Sequence, residues 1–185
     1  FSGRSSVGVR GIRLSKYDTV ISMYILKHAK FSIDERNDYL KITNAIRRKE
    51  FRRSMPFGKI SKETNLTEEK FIEMEKKEEF ILSVADNGYG KRSSAYQYRV
   101  TRRGGKGIAN MTVSKKTGKV VSSFPIKEKD DVMLIAGTGK LIRSPVSKIR
   151  IAGRTTQGVT LFNVEPGEKV LSAASIKDLN IGPEE

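Results

Sequence analysis

One frame occurs three times in this chain, and that recurrence constrains the fold more than any other feature. Arg102-Arg103-Gly104-Gly105-Lys106-Gly107 occupies the slot held by Gly3-Arg4-Ser5-Ser6-Val7-Gly8 near the start and by Gly153-Arg154-Thr155-Thr156-Gln157-Gly158 near the end. Each copy runs Arg, three residues, Gly, and then a β-rich stretch: Val9 to Leu14, Ile108 to Val113, Val159 to Val164. A turn and a second apolar run follow: Val20-Ile21-Ser22, Val120-Val121-Ser122, Val170-Leu171-Ser172. Arg103 and Arg154 are 51 residues apart, and Arg4 and Arg103 are 99 apart. The later half of the unit repeats at 51 as well, with Asn87-Gly88-Tyr89-Gly90-Lys91-Arg92 lying over Thr138-Gly139-Lys140-Leu141-Ile142-Arg143. A repeated β unit with a basic residue in one slot sets that charge at the same place on every unit.

Short runs rich in Val, Ile, Phe and Tyr, separated by turn residues, predict strands at roughly 9–14, 19–26, 80–86, 91–98, 107–113, 119–126, 131–136, 140–148, 158–164 and 169–175. Asp86-Asn87-Gly88, Thr117-Gly118, Gly137-Thr138-Gly139 and Pro166-Gly167 supply the turns. Four short strands per unit of about 50 residues is the count of a propeller blade. The expected units are 1–101, 102–152 and a partial third with a tail at 153–185.

The extra length of the first unit has one home, at about 30–78. Residues 37–48 predict a helix with Tyr39, Ile42 and Ile46 on one face, and 67–75 a second with Thr67 as N-cap. Met55-Pro56-Phe57-Gly58 separates the two. This reads as a helical insertion in a loop of the first unit. Residues 29–80 hold 13 basic and 11 acidic side chains, which leaves 23 of the 36 basic and 10 of the 21 acidic residues elsewhere. Of the net charge of +15, 23 − 10 = +13 therefore belongs to the repeated β units.

Such an excess concerns partners rather than fold. Nucleic acid is the commonest partner of so basic a domain, and an anionic membrane surface the second. No run approaches the ~18 apolar residues of a spanning helix, and no stretch resembles a signal peptide. The chain opens on Phe1 rather than Met, which predicts a longer parent protein. It has no Cys, which excludes disulfides and thiolate sites and favours a reducing compartment.

Catalytic constellations are absent from the pattern. The one histidine, His28, has no evident partner and reads as a surface residue; Asp130-Asp131 reads as a turn rather than a metal site. Gly90-Lys91-Arg92 and Gly139-Lys140-Leu141 lack the Ser or Thr of a nucleotide-binding loop. No cofactor and no metal are assigned to this chain. What remains is a phosphate-facing surface. Gly104, Gly105 and Gly107 let a phosphate approach backbone N–H groups, while Arg102, Arg103 and Lys106 supply charge-assisted bonds. The repeat frame adds Arg4, Arg10, Arg13, Lys91, Arg92, Lys140, Arg143 and Arg154 as candidate nucleic-acid-binding residues.

These motifs resemble the C-terminal domain of the bacterial DNA gyrase A protein. The likeness rests on Gly8-Val9-Arg10-Gly11-Ile12-Arg13-Leu14, Asn87 to Arg92, Gly153 to Val159, and Arg102 to Gly107, which is similar to the family's box with Thr101 where that box begins with Gln. It covers 1–29 and 79–177 and leaves out the insertion. It implies a mainly β fold, a β-pinwheel of four-stranded blades, of which this chain would hold about three of six. It also implies a non-catalytic element that wraps duplex DNA around a basic rim, so that ATP-driven strand passage introduces negative supercoils. Arg102 to Gly107 would be the box itself or a repeat copy of it. ATP and Mg²⁺ would act elsewhere in the assembly. The partners would be the N-terminal domain of the same protein and the gyrase B protein in an A2B2 complex, with no membrane. Two other readings stand beside this one: the corresponding domain of topoisomerase IV, and a propeller that binds acidic proteins. An RNA-binding β domain fits less well, since the aromatics are not interleaved with the basic residues.

Overall fold

Turn chemistry and alternating apolar residues produce two antiparallel sheets. The computed structural model describes residues 3–27, 29–50 and 64–177. His28 and Met55 to Gly58 lie outside the described residues. Strands β1 (Phe80–Ala85) and β2 (Tyr89–Ser94) form a hairpin across Asp86-Asn87-Gly88, pairing Phe80 with Ser94 through Val84 with Gly90. On the other side of β1 lies β3 (Val120–Ile126), and beyond β2 lies β6 (Val159–Thr160), giving the order β3-β1-β2-β6. The second sheet repeats the plan with β4 (Asp131–Ala136), β5 (Leu141–Pro145) and β7 (Val170–Ile176) in the order β5-β4-β7.

The repeat extends to irregularities of the backbone. The β1–β3 ladder slips between Val84 and Ala85, and the β4–β7 ladder slips between Ile135 and Ala136, again 51 residues on. Gly8, Gly107 and Gly158 share one slot and have φ of +80°, +77° and +80°. An L side chain is strained in that region. At Gly158 a Cβ would also come within 2.4 Å of the Gly90 carbonyl oxygen.

The sheets straddle the sequence units. β3 lies in the second unit yet pairs with β1 of the first, and β6 of the third pairs with β2. Sheet faces close over one core that includes Leu82, Val84, Phe124, Val132, Leu134, Val146, Phe162 and Val170. Each fully buried aliphatic side chain of this kind stabilises by roughly 1.5–3 kcal/mol.

Several expected strands are shorter or absent. Residues 9–14, 19–26 and 107–113 carry no strand, and 158–164 is reduced to Val159–Thr160. β3 and β7 are strands because β1 and β4 lie beside them. Residues 19–26 hold the same repeat position but have no hairpin beside them among the described residues. Their links are Ser22 Oγ to the Ser123 carbonyl at 2.9 Å and Tyr24 against the Phe124 ring at 6.2 Å. Val9, Val20, Met23 and Ile25 are consequently exposed.

The insertion is helical, as expected. α1 (Ile33–Glu50) begins four residues earlier than the apolar periodicity indicates, because Ser32 and Glu35 form a reciprocal capping box. Ser32 Oγ accepts from Glu35 N at 3.1 Å, and the Glu35 carboxylate accepts from Ser32 N at 2.7 Å. α2 (Glu68–Lys77) starts at the Thr67 cap. A separate core of Phe31, Tyr39, Ile42, Leu66, Phe71 and Met74 closes on Tyr96, from the 3-10 turn Ala95–Gln97 that follows β2. Tyr96 stands edge-on to Tyr39 at 5.4 Å and donates to the Met74 carbonyl at 2.9 Å, so the insertion is anchored to the first sheet through this residue.

Candidate nucleic-acid interface

The loop 102–107 does not stand alone. Gly104 N donates to the Gly11 carbonyl at 2.8 Å, and Arg13 N donates to the Gly105 carbonyl at 2.9 Å. These two bonds lay the first unit's 10–13 segment along the second unit's glycine loop. Arg10, Arg13, Arg102, Arg103 and Lys106 are thereby gathered on one junction, and all five are exposed. Among the described residues none of the five has an acidic partner. Gly104 and Gly107 hold positive φ, so the loop turns tightly, and a Cβ at either would meet only the 10–13 segment, at the Arg10 carbonyl oxygen (3.7 Å) and Ile12 Cδ1 (3.6 Å). Arg4 is exposed in the equivalent slot of the first copy.

The next junction is built on the same bond. Thr112 N donates to the Thr156 carbonyl at 3.2 Å, the repeat equivalent of Arg13 to Gly105, and Thr112 Oγ1 adds a bond to the Thr155 carbonyl at 2.5 Å. Here Thr112 stands for Arg13, Ala109 for Arg10 and Gln157 for Lys106, so the charge falls to Arg154. The Arg154 backbone N–H donates to Gln97 Oε1 at 2.6 Å, and its guanidinium donates to the Ala109 carbonyl.

Two candidate residues are not on the surface at all. Lys91 is completely buried, and Arg92 is 5% exposed. Lys91 Nζ donates to the carbonyls of Gly153, at 2.7 Å, and Arg154. Arg92 Nε donates to the Ile149 carbonyl at 2.6 Å, Nη2 to the Ser147 carbonyl at 3.2 Å, and Nη1 pairs with Glu128. The physical reason is the segment 149–154, which runs parallel beside β2 at this point: Arg92 N donates to the Arg150 carbonyl, and Ala152 N to the Arg92 carbonyl. Both side chains are clips that hold this segment and its loop, and both are buried. A signal was present for Lys91, because its repeat equivalent is Ile142, an apolar residue packed against the core.

Lys140 and Arg143 are exposed but paired with acids. Lys140 lies 2.5 Å from Glu165 and 3.8 Å from Glu168, and the hydrogen bond to Glu165 raises its pKa. Arg143 lies 2.6 Å from Asp131. Exposed pairs of this kind contribute roughly 0–1 kcal/mol and are readily exchanged for another anion. Asp130 accepts from Lys127 N at 2.8 Å in the turn before β4. Tyr89 has the Lys116 ammonium over its ring at 5.5 Å.

Two further basic residues share a repeat slot that the motifs do not mark. Arg99 and Arg150 are exposed and 51 residues apart, each four residues before the box-slot arginine. The repeat offset alone is the signal that finds them.

Burial, and then the Arg154 charge, push the Lys91 ammonium down to about 8. Its unfolded value is near 10.4. Between the two values the unfolded chain binds more protons, so this group's contribution to stability rises with pH across that window. In urea unfolding at pH 7.0 and 9.5, the wild-type chain is expected to gain stability relative to Lys91→Met. A difference that stayed constant would show that Lys91 titrates normally.

The family described as "DNA gyrase C-terminal domain, beta-propeller" matches residues 1–27, 79–127 and 130–177, stepping over the insertion. The DNA gyrase A protein of Rickettsia bellii (strain RML369-C) is 48% identical over 182 residues, 98% of this chain and 20% of that protein. Its counterpart in Granulibacter bethesdensis (strain ATCC BAA-1260 / CGDNIH1) is 43% identical over 183 residues, 93% of this chain and 20% of that protein. Both alignments are long enough to include insertion residues. The chain spans about a fifth of the length of these relatives. A solved DNA gyrase A C-terminal domain superposes with a TM-score of 0.51 at 25% identity, over 53% of this chain and 33% of the other. No helix among the described residues is long and apolar enough to cross a membrane. With the matched segments lying on the two sheets and both glycine-loop junctions, the chain belongs to the family of DNA gyrase C-terminal domains of beta-propeller fold.

Proposed function

We propose that this chain is the DNA-binding and DNA-wrapping part of a gyrase A protein. The observation that carries the reading is the first junction, where five exposed cations without acidic partners among the described residues converge on a glycine loop open to solvent. A surface of that kind binds phosphates without reading bases. Bending a duplex of 20–30 base pairs costs roughly 1–6 kcal/mol. A row of backbone contacts set at repeated positions can offset that cost. In this role the segment is non-catalytic: it presents a wrapped duplex to a strand-passage gate elsewhere in the parent protein, and ATP and Mg²⁺ act in other parts of an A2B2 assembly. The setting is the bacterial cytoplasm, at the nucleoid.

The test is DNA topology. A relaxed circle is treated with topoisomerase I in the presence of the chain at two salt concentrations. A shift in linking number that fades with salt is the expected result, because the contacts are electrostatic. Binding without any shift would remove wrapping from the reading, and no binding at low salt would remove DNA.

A further inference from the structure

Beside the second junction lies an open depression of about 390 Å³, lined by Gln97, Arg99, Ile108, Ala109, Arg154 and Thr155. From its lining we infer that it is a phosphate-binding subsite, taking a phosphodiester group of the duplex backbone; this inference rests on the DNA-binding reading above.

Three observations carry it. The lining holds two guanidinium groups and no acid, so the depression is positive and uncompensated. It holds no aromatic side chain to serve as a stacking platform, and its charged groups are guanidinium forks that match phosphate oxygens. And one wall is built in advance. Gln97 holds the Arg154 backbone N–H, Lys91 holds the carbonyls of Gly153 and Arg154 from below, and the Ala109 carbonyl takes one arm of the Arg154 guanidinium. A guanidinium has five N–H donors, so the rest of the Arg154 fork stays available to a ligand. Arg99, in the same lining, is exposed and has no hydrogen-bond or ion-pair partner among the described residues, so its guanidinium is available to the same ligand. An arginine fork matches the geometry of phosphate oxygens better than a point charge does. The buried Lys91, expected at the rim, thus acts here by positioning Arg154.

Arg99→Gln removes one wall without touching the fold, since the side chain is exposed. Binding of a labelled 30-base-pair duplex is followed by fluorescence anisotropy from about 50 to 200 mM salt, and thermal unfolding is followed with and without inorganic phosphate. The expected result for Arg99→Gln is about a tenfold loss of duplex affinity, a salt slope lower by about 0.9, and loss of any upward shift in Tm that phosphate gives the wild type. Wild-type duplex binding with an unchanged slope in Arg99→Gln would overturn the subsite and leave the DNA reading intact. Should the wild-type chain fail to bind duplex, the phosphate measurement decides alone. Stabilisation of the wild type but not of Arg99→Gln would support a site for free oxyanions, and equal or no stabilisation would overturn the subsite as well.

Discussion

Changing Arg10, Arg13, Arg102, Arg103 and Lys106 together to glutamine is expected to reduce the salt dependence of duplex binding by about 4 in log–log slope. Each phosphate contact releases counterions worth about 0.9 of slope, so five lost contacts approach 4.5. Affinity at low salt should fall by roughly three orders of magnitude or more on the same account. Stability should scarcely change. All five side chains are exposed, and the two bonds that hold the junction together are between backbone groups of Gly11, Arg13, Gly104 and Gly105. Anisotropy titrations across salt, with thermal unfolding as the control, make the measurement. A five-fold variant that kept the wild-type slope would move the DNA path off this junction altogether.

The opposite pattern is expected at Arg92. Arg92→Met should destabilise the chain by about 2–4 kcal/mol, because the buried Ile149 carbonyl and the partly buried Ser147 bond lose a charged donor. Glu128 loses its partner too, but it is 61% exposed and can be solvated, which keeps the cost below that of a wholly buried pair. Urea unfolding at neutral pH reads the change directly. Under conditions where the variant is folded, its DNA salt slope should match that of the wild type. Normal stability together with a lowered slope would return Arg92 to the DNA-facing set.

The two predictions separate side chains that look alike in the sequence. Lys91-Arg92 and Arg102-Arg103 are both basic pairs near glycines in a β-rich repeat. One pair is locked into the protein and the other is open to solvent. Nothing within a few residues of either distinguishes them. For Lys91 the comparison with Ile142 across the repeat does. Arg92 is harder, because its equivalent is Arg143, which is exposed and paired with Asp131. The same repeat position is buried under segment 149–154 in the first sheet. In the second sheet β5 is the edge strand, with no described strand beyond it.

Other features were legible because their causes are local. The turns at Asp86-Asn87-Gly88 and Gly137-Thr138-Gly139 follow from residues that tolerate positive φ, found at Gly88 and Gly139. β1, β3, β4 and β7 follow from apolar runs of strand length. The insertion follows from a helical period and the Thr67 cap, although the Ser32 to Glu35 capping box was an available signal that the periodicity hid. Where strands failed to form, as at 19–26 and 107–113, the apolar run was present but no strand among the described residues forms a ladder with it. A strand, unlike a helix, needs hydrogen-bond partners from elsewhere in the chain.

The sequence by itself therefore determined the repeat, the turns, the helical insertion and the concentration of positive charge in the β units. Each of these is set by residues close together along the chain or by a fixed offset. Only the tertiary structure decided which cations face solvent. Lys91 and Arg92 are buried by a segment some 60 residues downstream, and the glycine loop at 102–107 meets Arg10 and Arg13 from about 90 residues upstream. Burial and hydrogen-bond partnership depend on what lies across the sheet, and that is a property of the packed chain rather than of any window along it.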